Sequence, residues 1–159
     1  MFLSSHEKQL DSKRRLLVPQ DFRAAALLPG KELEAFDGVY GFSAVEAECL
    51  ECGGAAFFER YRALIERHPV GSPTRRALEH KVYGGMQRLN FDTAGRITLP
   101  ESLCARFGLT ADVVMVGLYD RFQVWSPKAY ETYAAQQEAL ARDVFNGPTE
   151  ESGAGAPRP

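Results

Sequence analysis

The chain has 159 residues, of which 45% are hydrophobic and 25% are charged, and its net charge is −2. This composition can bury a core and suits one compact domain, or two half-size units that share one core. No apolar run approaches the roughly 18 residues of a membrane helix, and the N-terminal segment turns polar too early for a signal peptide. We therefore expect a cytoplasmic protein that does not enter a membrane.

Charge is spread unevenly along the chain. Residues 1–30 carry five basic side chains against three acidic ones, whereas residues 32–51 carry six acidic side chains and no basic one. A locally basic face on a weakly acidic body suits a protein that meets DNA on one side. Ordinary variation of surface charge explains the same pattern, so the charges alone leave both interpretations open.

The first predicted element is a strand, turn, strand and short helix at residues 10–22, and the chain contains this unit twice. The segment LDSKRRLLVPQDF at residues 10–22 aligns without gaps with FDTAGRITLPESL at residues 91–103, at a constant offset of 81 residues. Asp, Arg and Pro are identical in both copies, and most apolar columns match. We interpret the pair as an internal repeat.

Each copy predicts the same local structure. The leading aspartate can accept hydrogen bonds from the backbone of the turn that follows it, and Gly95 supplies a positive φ in the second copy. The next residues alternate, so that Ile97 and Leu99 face one side. Pro100 suits the first position of a short helix, and Gly108 suits its end.

The first copy predicts a hairpin of its own, with Asp37-Gly38 as the turn. Tyr40 and Phe42 then stand in the place of Phe122 and Val124, one residue out of the motif register. The segment between the two copies has a helical pattern instead. Residues 55–67 have apolar side chains at helical spacing, and residues 75–88 form a weaker helical pattern.

Three further elements follow the second copy. Residues 113–118 and 122–125 predict two strands of a hairpin. Residues 127–145 predict a long helix that begins at Pro127, and the Gly- and Pro-rich residues 147–159 are typical of a disordered tail.

The three cysteines do not indicate a disulfide framework, because their number is odd and no signal peptide is predicted. Cys49 and Cys52 have the spacing of half a zinc site or of a redox pair, but no second Cys-x-x-Cys accompanies them. His68 and His80 do not complete a zinc pattern. We therefore expect no bound metal and no cofactor.

The Asp-x-x-x-Arg turn has a chemistry that suits DNA. A guanidinium held by a carboxylate on a fixed turn loses less entropy when it meets a phosphate or a guanine edge. For a single copy, a surface ion pair worth about 0–1 kcal/mol is the simpler interpretation. Two copies favour a repetitive ligand, and DNA is one.

Two blocks of the sequence resemble the MraZ family. Its opening is matched by Met1-Phe2-Leu3, Leu10-Asp11-Ser12-Lys13, Arg15-Leu16, Pro19 and Phe22-Arg23. Its second half is matched by residues 92–100, 114–117 and 122–125. The resemblance runs from Met1 to about Tyr133, and it is thin between Val39 and Gln87.

The resemblance implies an α+β fold, in which two swapped-hairpin, AbrB-like β units form a pseudo-dimeric β core with flanking helices. We accordingly expect a first SpoVT-AbrB-type repeat at residues 5–50, a helical connector at 51–87 and a second repeat at 88–131. A C-terminal helix at 132–146 and a disordered tail at 147–159 complete the chain.

The resemblance also implies a function. It implies a transcriptional regulator that binds double-stranded promoter DNA at short direct repeats and acts on the division and cell-wall gene cluster, including its own gene. It further implies association with the nucleoid and assembly into a ring-shaped homo-oligomer.

Carried over residue by residue, the family's DNA-binding motif falls on Asp11 and Arg15 in the first copy and on Asp92 and Arg96 in the second. We add Lys13 and Arg14, the basic residues of the first turn, to the predicted DNA-binding residues. Arg14 stands where the family usually has glycine, and it either distorts the first turn or adds a phosphate contact. Cys104 stands where the family often has arginine, and Gln123 where it often has an acid.

Other classes of protein fit less well. No phosphate-binding loop, Gly-x-Ser-x-Gly or His-Glu-x-x-His motif indicates an enzyme. An AbrB-type antitoxin shares the fold but usually carries one motif copy per chain. A nucleoid-associated ring with a purely structural role is the third alternative, and salt-sensitive DNA binding that survives competitor would set it aside.

Overall fold

The structure, a computed structural model, describes residues 1–147 in two compact units, one of residues 1–126 and one that begins at Pro127. The strands are β1 Ser5–Gln9, β2 Arg15–Leu17, β3 Gly38–Ser43, β4 Leu50–Gly53, β5 Gln87–Asn90, β6 Arg96–Thr98, β7 Asp112–Gly117 and β8 Phe122–Trp125. The helices are α1 Gln20–Ala26, α2 Ala55–Glu66, α3 Pro73–Leu78, α4 Glu101–Phe107 and α5 Pro127–Asn146, and a π-helical turn at Glu79–Tyr83 follows α3.

The strands exchange partners between the two repeats. Six of them form an antiparallel sheet in the order β1-β7-β8-β4-β3-β5, and β2 pairs with β6 in a separate two-stranded ribbon. Strand β1 of the first repeat thus pairs with β7 of the second, and β5 of the second pairs with β3 of the first. This arrangement confirms the predicted α+β fold with swapped hairpins and a pseudo-dimeric β core.

The pairing is symmetric residue by residue. Gln9 lies opposite Asp112 in one half, and their equivalents Asn90 and Gly38 lie opposite each other in the other half. The two halves meet at β4 and β8, where Glu51 faces its own equivalent, Gln123. A pseudo-two-fold axis therefore passes between these two residues.

The main core lies between the sheet, the ribbon and helices α1 and α4. Leu16 and Ile97 face each other on the ribbon and are fully buried. Helix α1 contributes Phe22, whose ring lies 5.3 Å from that of Phe2 and 5.3 Å from that of Phe122. Burial of large side chains of this kind is the dominant favourable contribution to folding.

Helix α2 covers the other face of the sheet on the first-repeat side. Phe57 and Ile65 of α2 join Phe42 of β3 and Val82 in a second, smaller hydrophobic cluster. Tyr61 of α2 packs against this cluster. The segment between the repeats thus has its own core, in keeping with the amphipathic pattern of residues 55–67.

A buried polar network holds β4 and β8 together at the pseudo-two-fold axis. The Oε1 atom of Glu51 accepts hydrogen bonds from Arg121 Nε at 2.8 Å and from Gln123 Nε2 at 3.1 Å. The Oε2 atom accepts one from the Tyr61 hydroxyl at 2.9 Å. Burial, with a smaller contribution from Glu51, raises the pKa of Tyr61 to about 12, so this hydroxyl keeps its proton. Trp125 Nε1 donates to Gln123 Oε1 at 2.9 Å.

One predicted hairpin is wrong. Asp37-Gly38 does not form a turn, because Gly38 begins β3 and the β3–β4 connection lies after Ser43. Tyr40 and Phe42 lie on the first strand of their hairpin, whereas Phe122 and Val124 lie on the second strand of theirs. The glycine serves close packing: a Cβ atom on Gly38 would lie 2.4 Å from the Leu89 carbonyl oxygen.

Most of the other predicted elements agree with the structure within a few residues. The predicted helix at 75–88 is the exception, because the helical segment ends at Tyr83 and residues 87 and 88 belong to β5. Helices α2 and α5 begin at Ala55 and Pro127, and Gly108 ends α4 with a φ of +62°. Pro100 lies one residue before α4 rather than inside it. The division at 5–50, 51–87, 88–131 and 132–146 stays a prediction, although β4 runs on to Gly53 and α5 begins before 132. Apart from Gly147, the predicted disordered tail lies outside the described residues.

Candidate nucleic-acid interface

The first Asp-x-x-x-Arg motif forms a tight turn between β1 and β2. The Asp11 carboxylate accepts hydrogen bonds from the backbone amides of Lys13 at 2.9 Å and Arg15 at 2.8 Å. The amide of Arg14 donates to the Asp11 carbonyl at 3.0 Å and closes the turn. Arg15 Nε donates to the second carboxylate oxygen, so one aspartate fixes both the turn and its arginine.

The second motif repeats this geometry between β5 and β6. The Asp92 carboxylate accepts hydrogen bonds from the amides of Ala94 and Arg96, each at 2.9 Å, and from Arg96 Nε at 2.8 Å. The amide of Gly95 donates to the Asp92 carbonyl at 3.0 Å. The two turns are therefore built in the same way, as the repeat predicts.

The residue just before the arginine of each motif has a left-handed backbone. Gly95 has a φ of +82°, and Arg14, its equivalent, has a φ of +61°. Because glycine adopts this region freely and arginine does not, Arg14 holds a conformation that costs free energy. The hydrogen bonds of the first turn nevertheless match those of the second, so Arg14 does not distort the turn.

The two turns bring their arginines onto one surface. Strands β2 and β6 pair antiparallel with Arg15 opposite Thr98 and Leu17 opposite Arg96. Buried residues alternate with these four, so all four belong to the outer face of the ribbon. Arg96 Nη1 also lies 3.9 Å from Asp11 Oδ2, which links one turn to the other.

Both aspartates are held ionised. The hydrogen bond from the Arg15 amide is the main reason why the pKa of Asp11 lies below its usual value, and the Arg15 side chain adds to it. The Arg96 amide and side chain lower the pKa of Asp92 in the same way. The surface thus carries two guanidinium groups whose Nε atoms are engaged by carboxylates.

The structure places the six predicted site residues unequally. It brings Asp11, Arg15, Asp92 and Arg96 together, and it leaves Lys13 exposed at the first turn. The Arg14 side chain turns toward the second repeat, where its Nε donates to the Leu99 carbonyl at 3.1 Å.

Leu17 is a surface residue that the sequence did not single out. It lies on the outer face of the ribbon opposite Arg96, and it is 46% exposed. Its equivalent in the second copy is Thr98. The alignment of the two copies contains the signal, because Leu17 falls between two columns that are apolar in both copies and is itself matched by a polar residue.

The three cysteines lie in the interior of the fold. Cys49, Cys52 and Cys104 are all buried and free, and burial raises the pKa of each thiol. Within residues 1–147, no three His, Cys, Asp or Glu side chains are grouped in a way that could hold a metal ion. No helix in this range has the length and apolar character needed to cross a membrane.

The interleaved hairpins carry two equivalent turns, each with an arginine, and this arrangement defines an AbrB-like β fold. The two arginines lie on the outer face of the β2–β6 ribbon. A family model described as "MraZ protein, putative antitoxin-like" matches residues 82–146. A protein named transcriptional regulator MraZ from Caulobacter vibrioides (strain NA1000 / CB15N) is 57% identical over 143 residues, which cover 90% of this chain and 88% of the relative.

Two further relatives carry the same name. The one from Phenylobacterium zucineum (strain HLK1) is 57% identical over 142 residues, with 89% of this chain and 85% of the relative covered. The one from Rickettsia felis (strain ATCC VR-1525 / URRWXCal2) is 33% identical over 143 residues, with 90% and 93% covered. The chain therefore belongs to the MraZ family of transcriptional regulators.

Proposed function

We propose that the chain is a sequence-specific regulator that binds double-stranded DNA through the outer face of the β2–β6 ribbon. One observation carries this proposal: Arg15 and Arg96 lie on paired strands, each fixed by its own aspartate and joined through the 3.9 Å approach of Arg96 to Asp11. Two guanidinium groups at a fixed spacing suit a ligand that repeats its own acceptors. A two-stranded ribbon also fits the major groove.

Each arginine is prepared for a two-point contact. Because the carboxylate engages Nε, the Nη groups can donate to guanine O6 and N7 or to phosphate oxygens. Asp11 and Asp92 act as positioning residues, since they fix the turn backbone and the guanidinium together. The entropy that a long side chain normally loses on binding is therefore partly lost in advance.

The neighbours of the arginines have separate roles. Lys13, exposed at the first turn, contacts phosphate and contributes to salt-dependent affinity. Leu17 and Thr98 offer methyl groups on the same face, and methyl groups of this kind contact the C5-methyl group of thymine.

The proposal extends to targets and assembly. We propose that the chain assembles into a ring-shaped homo-oligomer, associates with the nucleoid in the cytoplasm, and binds short direct repeats near the division and cell-wall gene cluster, including its own gene. The relatives' name, transcriptional regulator, supports a promoter target. A ring would present many turn pairs at high effective concentration, so weak individual contacts would add up along successive repeats.

A gel-shift titration at two salt concentrations tests the proposal. Arg15→Ala and Arg96→Ala should each weaken binding to operator DNA at least about 10-fold, since a bidentate base contact is worth about 1–3 kcal/mol. Lys13→Ala should reduce the salt dependence by about one ion.

Arg62→Ala is the matched control. Arg62 on α2 also pairs through its Nε with a carboxylate, that of Glu66 at 3.0 Å, and it carries the same charge. It should bind DNA as the unaltered chain does. Equal binding by the Arg15→Ala/Arg96→Ala double variant and the control, with the oligomer intact by sizing, would show that the motif is structural.

A further inference from the structure

Each of the two turns is accompanied by one additional arginine, Arg14 at the first turn and Arg23 at the second. The 81-residue offset makes Arg14 equivalent to Gly95, and Arg23 of α1 equivalent to Cys104 of α4. In the sequence, the first repeat therefore has arginine at both of these positions, whereas the second repeat has it at neither. Because the hairpins are exchanged between repeats, each turn must be compared with the helix that it meets in space.

The second turn meets the helix arginine. Arg23 donates from Nη1 to the Val18 carbonyl, and the Val18 amide donates to the Gly95 carbonyl at 3.2 Å. The guanidinium lies directly over the glycine: a Cβ atom on Gly95 would lie 2.6 Å from Arg23 Nη1 and 2.7 Å from its Cζ. The helix arginine thus occupies the space that a side chain at position 95 would need.

At the first turn the guanidinium comes from the turn itself rather than from a helix. Arg14 Nε donates to the Leu99 carbonyl at 3.1 Å, and the Leu99 amide donates to the Arg14 carbonyl at 2.8 Å. Leu99 is the equivalent of Val18, so the equivalent carbonyl again receives a guanidinium. The helix position here is the short, buried Cys104, and it is close enough to Arg14 for the positive charge to oppose the rise in the cysteine's pKa that burial causes.

We propose that the carbonyl just after each ribbon strand, that of Val18 after β2 and that of Leu99 after β6, accepts a hydrogen bond from one guanidinium. Arg14 is then a positioning residue, which replaces the arginine absent from position 104. This inference rests on the proposed function, since the ribbon it fixes is the one that carries Arg15 and Arg96. Leu99 directly follows β6, so the Arg14 contact ties the turn of Arg15 to the strand of Arg96. The left-handed backbone of Arg14 is retained because its side chain serves this contact.

The guanidinium can come from the turn position or from the helix position, but not from both at once. At the second turn a side chain on Gly95 would collide with Arg23, and at the first turn an arginine at position 104 would compete with Arg14 for one carbonyl. Moving the arginine from one position to the other should therefore preserve the junction, whereas having none or two should damage it.

A double-mutant cycle tests this exchange with three full-length variants: Arg14→Gly, Cys104→Arg, and both together. The double variant keeps the net charge of the unaltered chain, and glycine accepts the left-handed backbone. Cys104→Arg should lower the melting temperature by roughly 3–6 °C, and Arg14→Gly by a smaller amount, roughly 2–4 °C, because glycine relieves the left-handed backbone while the contact to Leu99 is lost. Each single variant should weaken operator binding about 5- to 10-fold. The double variant should return to within about 2 °C and about twofold of the unaltered chain.

The two readouts separate the failure of this inference from the failure of the proposed function. Melting does not require DNA, so additive losses of melting temperature in the double variant would overturn the exchange whatever the DNA result. An unchanged melting temperature in Arg14→Gly, with a salt dependence reduced by about one ion, would make Arg14 a phosphate contact and would also overturn it. Coupled melting temperatures with DNA binding unchanged in all three variants would overturn the positioning role and would count against the proposed surface.

Discussion

Removal of Arg121 should destabilise the junction of the two repeats, because it leaves a carboxylate buried without its charged partner. Glu51 is only 4% exposed, and Arg121 Nε lies 2.8 Å from its Oε1 atom. Removing one partner of a buried ion pair costs about 3–5 kcal/mol. The Arg121 side chain is 27% exposed, so water replaces part of the lost interaction. We expect Arg121→Ala to lower the free energy of unfolding by about 2–3 kcal/mol.

A second substitution should reverse most of this loss. In the Glu51→Gln/Arg121→Ala variant no charge is buried, and the glutamine oxygen still accepts from Gln123 Nε2 while its amide can donate to the Tyr61 oxygen. The double variant should therefore lie within about 1 kcal/mol of the unaltered chain. Glu51→Gln alone is the matched control and should cost about 1 kcal/mol, since Arg121 then donates to a neutral acceptor.

Urea denaturation followed by tryptophan fluorescence is the assay. Trp125 is the single tryptophan of the chain, is buried, and donates to Gln123 inside the same network. A double variant that is less stable than Arg121→Ala would refute the reasoning. It would show that the unpaired charge of Glu51 does not cause the loss of stability in the single variant. A loss below about 0.5 kcal/mol in Arg121→Ala would do the same.

Three further outcomes follow from the structure. The pKa values of Asp11 and Asp92 are lowered in the folded chain. The stability that these carboxylates contribute is therefore present above the ordinary pKa near 3.8 and is lost as the pH falls through the lower folded values. Melting temperatures measured at successive pH values should show this loss, and the loss should be smaller in the Asp11→Asn/Asp92→Asn variant. Gly38→Ala should destabilise the chain by about 1–3 kcal/mol, because the new methyl group meets the Leu89 carbonyl, and a melting temperature unchanged within 1 °C would contradict the close approach. Cys49 and Cys52 should react with a thiol reagent only after unfolding, because burial raises the pKa of both thiols; stoichiometric zinc in the purified protein, lost together with the fold on Cys52→Ser, would show that they are metal ligands instead.

The local structure of the motif was readable from the sequence because its causes are local. An aspartate that accepts from amides two and four residues later, and a glycine with positive φ, require only neighbours in the chain. The amphipathic helices were also readable, since Ala55 and Pro127 begin segments with a clear helical period. The exchange of strands was not contained in these patterns and came from the family resemblance.

The misplaced hairpin has a physical cause. Gly38 follows an aspartate and so has the local appearance of a turn, but its missing side chain accommodates the backbone of β5, 51 residues further along the chain at Leu89. The repeats also diverge here, because 11 residues separate α1 from β3 whereas four separate α4 from β7. An alignment at constant offset therefore cannot follow the chain past the short helix.

The contact that Arg14 makes could not be predicted from the sequence either. Its partner, the Leu99 carbonyl, is 85 residues away and belongs to the other repeat. The sequence could show that an arginine had replaced a glycine, but only the packing of the two repeats shows which atom that arginine meets.

Footprinting on the promoter of the chain's own gene tests the central proposal most directly. The unaltered chain should protect short, evenly spaced direct repeats, and the Arg62→Ala control should give the same pattern. The Arg15→Ala/Arg96→Ala variant should lose that protection at the same protein concentration while it stays folded and assembled. An identical footprint from the double variant, or no protection by the unaltered chain at physiological salt, would contradict the assignment of the ribbon as the DNA-binding surface.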